Sequence, residues 1–404
     1  MKNVAYIFIA ISVIIPGKSM AAAFPEVDIH GFISQGYLLS SENNYIADSK
    51  DGTFEFNELG INFGTNPLPG LFLGVQLFAN DLGKTGNDEL TLDWAVADYK
   101  WRPYLGLKAG KLKLPYGLYN DTRDIDMLRV SILLPQSVYL EIQRESMNGL
   151  NGGGVYGKFP VPFIGKISYE VLAGTMNISK DGSLAYYIES IISSVAPISI
   201  NITKIDVNSF FYYSATLHTN LRGLLFKYSG SIIDINVESI INAGYQIDRA
   251  MDPFQVNVYS VQYSFHNFLF TSECLLIDQK QRDKFYVGDV LLGSQVKNDH
   301  MLGNYASISW SINELFELEY YYSQFFTDRN DKKGKNITPS YSAYQKDHCL
   351  ALRYNINSYW IVKVEGHLIS GVGLLNPSEN PPGSSGNRYT KNWSLLALKL
   401  SYRF

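Results

Sequence analysis

Apolar and polar residues alternate with period two along most of this 404-residue chain. No other feature constrains the fold as much. Residues 393–404 carry the pattern most plainly. Leu396, Leu398, Leu400, Tyr402 and Phe404 fall on one parity, and Lys399, Ser401 and Arg403 on the other. Side chains of a β-strand point alternately to its two faces, so this segment is a strand with one apolar and one polar face. A helix would scatter the same residues around its circumference.

The alternation can be followed along the chain. Val27, Ile29, Ile33, Tyr37 and Leu39 oppose Asp28, His30, Ser34 and Ser40, and Leu59, Ile61 and Phe63 alternate with Glu58, Gly60 and Asn62. After a turn at Asn66–Gly70 come Leu71, Leu73, Val75 and Leu77; Leu90, Leu92, Trp94 and Val96 share the next apolar parity, and Leu105 and Leu107 begin the fifth strand. Gly153–Phe159 reads as the sixth. Ten more follow, around Tyr169, Ala215, Phe226, Val261, Phe270, Ile308, Leu318, Leu352, Val364 and Leu398. The tally is sixteen, with fourteen or eighteen as alternatives. The fold class is therefore all-β, a transmembrane antiparallel β-barrel, with lipid-facing residues on one parity and lumen-facing residues on the other. Glu170, Glu273, Glu317, Glu319, Lys363 and Glu365 fall on the lumen parity, where they read as a hydrated lining; His367, on the same parity, is a candidate pH-responsive group, with a plain wall position as the commoner alternative.

Composition agrees. Mean hydropathy is −0.07, too low for a polytopic helical membrane protein. The chain holds 29 Tyr and 22 Phe against 5 Trp, and these aromatics suit interfacial girdles. A formal charge of −4 gives no basic surface for nucleic acid. Two cysteines, Cys274 and Cys349, exclude a disulfide scaffold; they fall on non-adjacent strands with opposite parities, and are expected unpaired.

Both ends read as addresses. Lys2, the apolar run Val4–Ile15 and the small residues Ala21–Ala23 have the build of a secretory signal peptide. Residues 1–23 are assigned to it, with cleavage after Ala21 as the alternative, leaving 24–404 as the barrel. At the other end, Tyr402 and Phe404 resemble the targeting signal of bacterial outer-membrane barrels, which ends in Phe with an aromatic two residues earlier. That resemblance implies the barrel-assembly machinery as a partner, the lipid bilayer of the Gram-negative outer membrane as the location, and a multi-pass barrel.

The longest connection in the first half is the third outer loop, residues 115–149. It carries Asp121, Arg123, Asp124, Asp126, Arg129, Glu141, Arg144 and Glu145 beside the apolar stretches Val130–Leu134 and Val138–Leu140. A loop with that much apolar side chain is expected to fold inward against the barrel wall. Other polar loop material is placed at Glu42–Thr53, Asp278–Asn304, Thr327–Asp347 and Gly371–Asn387, and Ser183–Val195 is expected to hold a short helix.

The run DWAVADYKWRPYLGLKAGKLKLPYGLYNDTRDIDMLRVSILLPQSVY, Asp93–Tyr139, resembles a Gram-negative porin-like family distantly related to the phosphate-selective porins. The resemblance is densest over Gly110–Tyr139, and looser over Tyr320–Asp331 and Gln345–Gly371. It implies a sixteen-stranded barrel, a homotrimer, no cofactor or metal, and a third loop acting as an eyelet. The pore constriction would then comprise Lys108, Lys111 and Lys113 on the fifth strand with Asp121, Arg123, Asp124, Asp126, Arg129, Glu141 and Arg144 on the loop. Phosphate-selective porins use an Arg ladder, whereas this chain has 11 Arg in all, so a transverse field of cationic wall and acidic loop is expected.

The function expected is an outer-membrane porin, a passive channel for small hydrophilic solutes or ions. A substrate-selective anion or phosphate-type channel is the alternative. A barrel enzyme would need a nucleophile or activated water near one of six His, and no G-x-S-x-G or H-E-x-x-H run occurs; the chain is not expected to be an enzyme. A closed structural barrel or an adhesin is the remaining rival.

Overall fold

The computed structural model describes residues 26–404 apart from 85, 142–143, 145–148, 196–198, 243 and 383–387. The expected signal peptide lies outside the described residues. Sixteen strands follow in chain order: β1 Val27–Ser40, β2 Asn57–Leu68, β3 Leu71–Asp81, β4 Thr91–Arg102, β5 Leu105–Lys113, β6 Gly149–Val161, β7 Gly165–Thr175 and β8 Ile200–Thr219. Then come β9 Leu224–Ile241, β10 Tyr245–Phe265, β11 Phe268–Val287, β12 Val290–Ser311, β13 Phe316–Phe326, β14 Tyr344–Asn355, β15 Trp360–Gly371 and β16 Asn392–Arg403. An α-helix, α1 (Ser183–Val195), occupies the connection between β7 and β8, where a short helix is expected.

Each strand pairs antiparallel with its neighbours in sequence, and β1 pairs with β16, so the sheet is a closed barrel. Closure leaves no unpaired edge, the condition for strands to cross lipid. At the seam Gly31 and Phe404 exchange both backbone hydrogen bonds, at 3.1 and 3.0 Å. The Phe404 ring covers Gly31 so closely that a Cβ there would lie 2.3 Å from a ring carbon. Val27, Ile29, Ile33 and Leu39 on β1 and Leu396, Leu398 and Leu400 on β16 are exposed on the outer face; Ser34, Lys399 and Ser401 are buried inside. The expected parity therefore holds at both ends of the sheet.

Three stretches depart from the simple alternation. The segment Asp278–Asn304, expected as loop, is strand: β11 and β12 pair up to the turn at residues 288–289, with one register shift between Phe285 and Tyr286. Strands β8 to β12 run 18–22 residues, about twice what a bilayer requires. Beyond the membrane both faces of a strand meet water, so polarity there does not signal a loop. In β4 a register shift falls between the pairs Gln76↔Trp94 and Leu77↔Leu92. The extra residue, Asp93, reverses the parity. Trp94 and Val96 therefore share the inward side with Gln76, while Tyr99 and Trp101 are exposed outside. Finally, the inward positions in the outer halves of β8 to β11 are apolar: Phe210, Ile233, Ile235, Val258, Leu275 and Ile277 are all buried. They pack with Leu134, Val138 and Leu140 of the third loop, and with Met176, Ile178 and Ala185.

Candidate functional site: the lumen and its third loop

The connection between β5 and β6, hereafter L3, folds into the bore as expected. It then reaches much further than one wall. Tyr212 of β8 donates to the Pro115 carbonyl (2.7 Å), the Tyr116 hydroxyl meets Ser231 of β9, and the Gly117 amide donates to Ser229 (2.9 Å). Gln262 of β10 donates to the Tyr119 hydroxyl, and the Leu118 amide and the Tyr139 hydroxyl both donate to Glu273 of β11. Ser137 donates to the Asn304 carbonyl of β12, and the Ser131 amide to Glu319 of β13. Arg353 of β14 caps the Met127 carbonyl, and the Ile132 and Leu133 amides donate to Glu365 of β15. Asp126 takes Lys363 of β15 (2.9 Å) and Ser401 of β16 (2.7 Å). On the opposite side Asp124 takes Gln76 of β3, and Arg144 donates to Glu58 of β2 at 2.8 Å. L3 is thus bonded to β2, β3, β5 and every strand from β8 to β16.

Local sequence explains why a loop can do this. Val130, Ile132, Leu133, Leu134, Val138 and Leu140 are each at most 6% exposed. Burial of such side chains is worth up to about 1.5–3 kcal/mol each. Ile132 and Leu133 join Leu38, Tyr45, Phe56, Ile369, Trp393 and Leu395 in one cluster, and the second stretch joins the inner wall of β8 to β11. The backbone at Leu118 and along Ser131–Leu133 has no ladder partner. Its buried amides would cost a few kcal/mol each if left bare. Glu273, Glu319 and Glu365, on the inward parity of three strands, accept them instead.

The expected constriction residues separate into three groups. Lys108 faces inward, pairs with Glu170 of β7 at 2.8 Å, and lies 4.7 Å from the Tyr156 ring centre. Lys111 lies on the outward parity of β5 and donates to the Leu92 carbonyl. Lys113, at the end of β5, turns in to meet Asp124 and Asp93, and its Nζ also donates to the carbonyl of the half-buried Asp121. Arg123, Asp124 and Asp126 are at most 3% exposed, so they are core groups of L3. Arg123 pairs with Glu141 at 2.9 Å, Arg129 approaches Asp126 at 3.7 Å, and Arg144 bridges Glu58 and Glu141. Burial raises the carboxyl pKa of Asp126, but Lys363, Lys399 and Arg129 outweigh it and hold the group below its ordinary range. Asp124 is likewise pushed up by burial and brought lower overall by Lys113 and Gln76, and Glu141 by Arg123 and Arg144. Most of the charge on the loop is therefore matched pair by pair.

The receiving residues on the wall, Glu58, Gln76, Lys363 and Lys399, are absent from the constriction set read from the sequence. Glu273, Lys363 and Glu365, expected as hydrated lining, are buried beneath L3, and Glu319 is half-buried there. Their signal was the charge on the inward parity, and what hid the role was that porin linings are polar in any case. Side chains still open to the lumen lie on β4 to β7: Asp98, Lys108, Tyr156 and Glu170 are partly exposed, with the Tyr156 hydroxyl on Asp98. A cavity of about 360 Å³ opens beneath L3 beside the short turn His266–Asn267, lined by Tyr119, Arg129, Ser309, Glu317 and Arg353 among others.

A closed sixteen-stranded sheet, apolar outside and enclosing an inward-folded third loop, defines a membrane-spanning barrel of the Gram-negative outer membrane, built on the porin fold. No protein-family model matches the sequence, and no curated protein matches it. Among solved structures, the chain is similar to the outer membrane channel DcaP of Acinetobacter baumannii, with 12% identity, TM-score 0.54, 96% of this chain and 100% of that one. It is also similar to Salmonella typhi OmpF in complex with daunomycin, with 11% identity, TM-score 0.57, and 94% and 98% covered. An anion-selective porin from Comamonas acidovorans matches with 9% identity, TM-score 0.51, and 94% and 99% covered. At such identities the likeness is one of fold.

Proposed function

We propose that this chain is a diffusion channel for small hydrophilic solutes, and not an enzyme, with L3 setting the width of the passage. The observation that carries the reading is the docking of L3 across the bore, beside a polar lane on β4 to β7. A structural barrel or an adhesin has no need of a loop bonded to the lumen wall on nearly every side. Lys108, Asp98 and Glu170 give the lane mixed charge, which favours weak bias over single-sign selection. Residues 1–23 act as the signal peptide, Tyr402 and Phe404 as the assembly signal, and the barrel assembles as a homotrimer, a state that native mass spectrometry in detergent reads directly.

The test is planar-bilayer recording. Native protein is expected to give discrete open steps, and deletion of residues 121–146 to raise the step size several-fold. Under a salt gradient, Lys108→Glu should move the reversal potential toward cation preference. Folded protein that stays silent at every voltage, with and without the deletion, would sink the channel reading.

A further inference from the structure

Behind L3, on the inward face of β14 and β15, lies a cluster in which Glu365 also docks the loop, while the side chains of Cys349 and His367 have no part in the barrel wall's ladder or in the passage. Cys349 pairs across the ladder with His367, and Glu365 precedes His367 by two residues on the same face. Cys349 and Glu365 are 0% exposed and His367 3%. One sulfur, one nitrogen and one oxygen from these three side chains lie within 4.8 Å of one another. We propose that Cys349, Glu365 and His367 bind one thiophilic divalent cation, of the zinc type.

The orientation of the imidazole supports this. Nε2 faces the Glu365 carboxylate at 2.7 Å, while Nδ1 faces Asp347 at 2.9 Å. A histidine bound to a metal through one nitrogen characteristically donates its other N–H to a carboxylate, which fixes the tautomer and aims the ring. Asp347 is in that place. It is the positioning residue, and the Tyr321 hydroxyl holds it from the other side at 3.5 Å. The charge in the cluster points the same way. The ion pairs of Asp347 and Glu365 among the described residues are both with His367, and Lys363, on the same strand, is committed to Asp126. Two carboxylates and an ionisable thiol thus share one imidazole.

Sulfur, nitrogen and oxygen together suit zinc or cobalt; calcium and magnesium take oxygen. Zinc bonds of about 2.0–2.3 Å place tetrahedral ligand atoms about 3.2–3.8 Å apart, so Nε2 and Oε1, now 2.7 Å apart, open by about half an ångström, while the widest separation in the cluster closes by at most about an ångström. The fourth position falls to water. Binding displaces the thiol proton and any proton on Nε2 to solvent. Glu365 Oε1 faces the metal position, while Oε2 holds the Ile132 amide. The site therefore sits at the joint between wall and loop.

The test uses cobalt as probe on the full chain, both soaked into folded barrels in detergent and added during refolding, so that burial does not bar access. One equivalent per chain is expected, with a thiolate-to-cobalt charge-transfer absorption that zinc abolishes by displacement. Cys349→Ser should lose that absorption. Asp347→Asn should keep it while affinity falls about 10- to 100-fold. Absorption missing after both treatments in protein with a barrel circular-dichroism spectrum, or unchanged in Cys349→Ser, overturns the site. Silence in bilayers from protein that binds cobalt overturns only the channel reading.

Discussion

Asp126 shows how much one side chain can hold. It is 3% exposed and gathers Lys363, Ser401 and the more distant Lys399 from two neighbouring strands. Removing one partner of a buried ion pair strands the other, at a cost of about 3–5 kcal/mol. Asp126→Asn should therefore loosen L3 without opening the barrel, seen as noisier conductance and faster proteolysis within the loop. Because the carboxyl is held below its ordinary range, its contribution is complete above about pH 4 and is lost only as pH falls through the lower folded value. Recordings between pH 7 and 4 should show no release at this contact. Glu379, in the outer loop before β16, behaves in the opposite sense. Burial, with the nearby Asp48 charge, pushes its carboxyl up to about 7. Its protonated form packs against the first loop, so stability is fully present below about pH 4 and is lost as pH rises through about 7. Protection factors of the amides around Tyr45–Ser49, taken relative to intrinsic exchange at each pH, should be higher at pH 5 than at pH 8, and Glu379→Gln should erase that difference.

At the level of the element, the bulge at Asp93 absorbs the change of parity within β4. A chain lacking Asp93 would lose the bulge and keep both faces, because Leu92 stays opposite Leu77 and Trp94 opposite Gln76. A chain lacking Ala95, in the regular ladder, would turn Val96 and Asp98 toward lipid and bring Tyr99 and Trp101 into the lumen. The Ala95 deletion should abolish insertion into lipid vesicles, while the Asp93 deletion keeps the faces and should insert; the mobility of unheated protein on gels separates the two. This was the hardest feature to read from sequence, because Leu92, Trp94 and Val96 continue an apolar parity across the bulge. The strands themselves were legible wherever one face meets lipid and the other water, as in β1 and β16. Legibility ended where both faces of a strand meet the same surroundings. In Asp278–Lys284 both are polar; around Ile232 and Ile233 both are apolar, one lipid-facing and one packed under the loop. The inward fold of L3 was readable from Val130–Leu134. Its partners were not, since Glu58, Gln76 and Lys399 lie far from it in sequence.

For the whole molecule, closure rests on the seam between β1 and β16, where the Phe404 ring occupies the space that a side chain at Gly31 would take. Gly31→Leu should displace the ring and reduce the yield of closed barrel, with Gly31→Ala intermediate, measured as the folded fraction after dilution from urea into detergent. The sequence pointed to Phe404 as an address, whereas the structure adds a mechanical part for it. The tethering of L3 has a further consequence. Both of its ends continue into wall strands, β5 and β6, so displacement never separates the loop from its receptor. Its return is an intramolecular event governed by an effective concentration, in the millimolar range for short tethers, and independent of how much protein is present. Opening by this loop is expected as brief flicker about a resting position, with dwell times unchanged on dilution and nothing lost that a second molecule would have to replace.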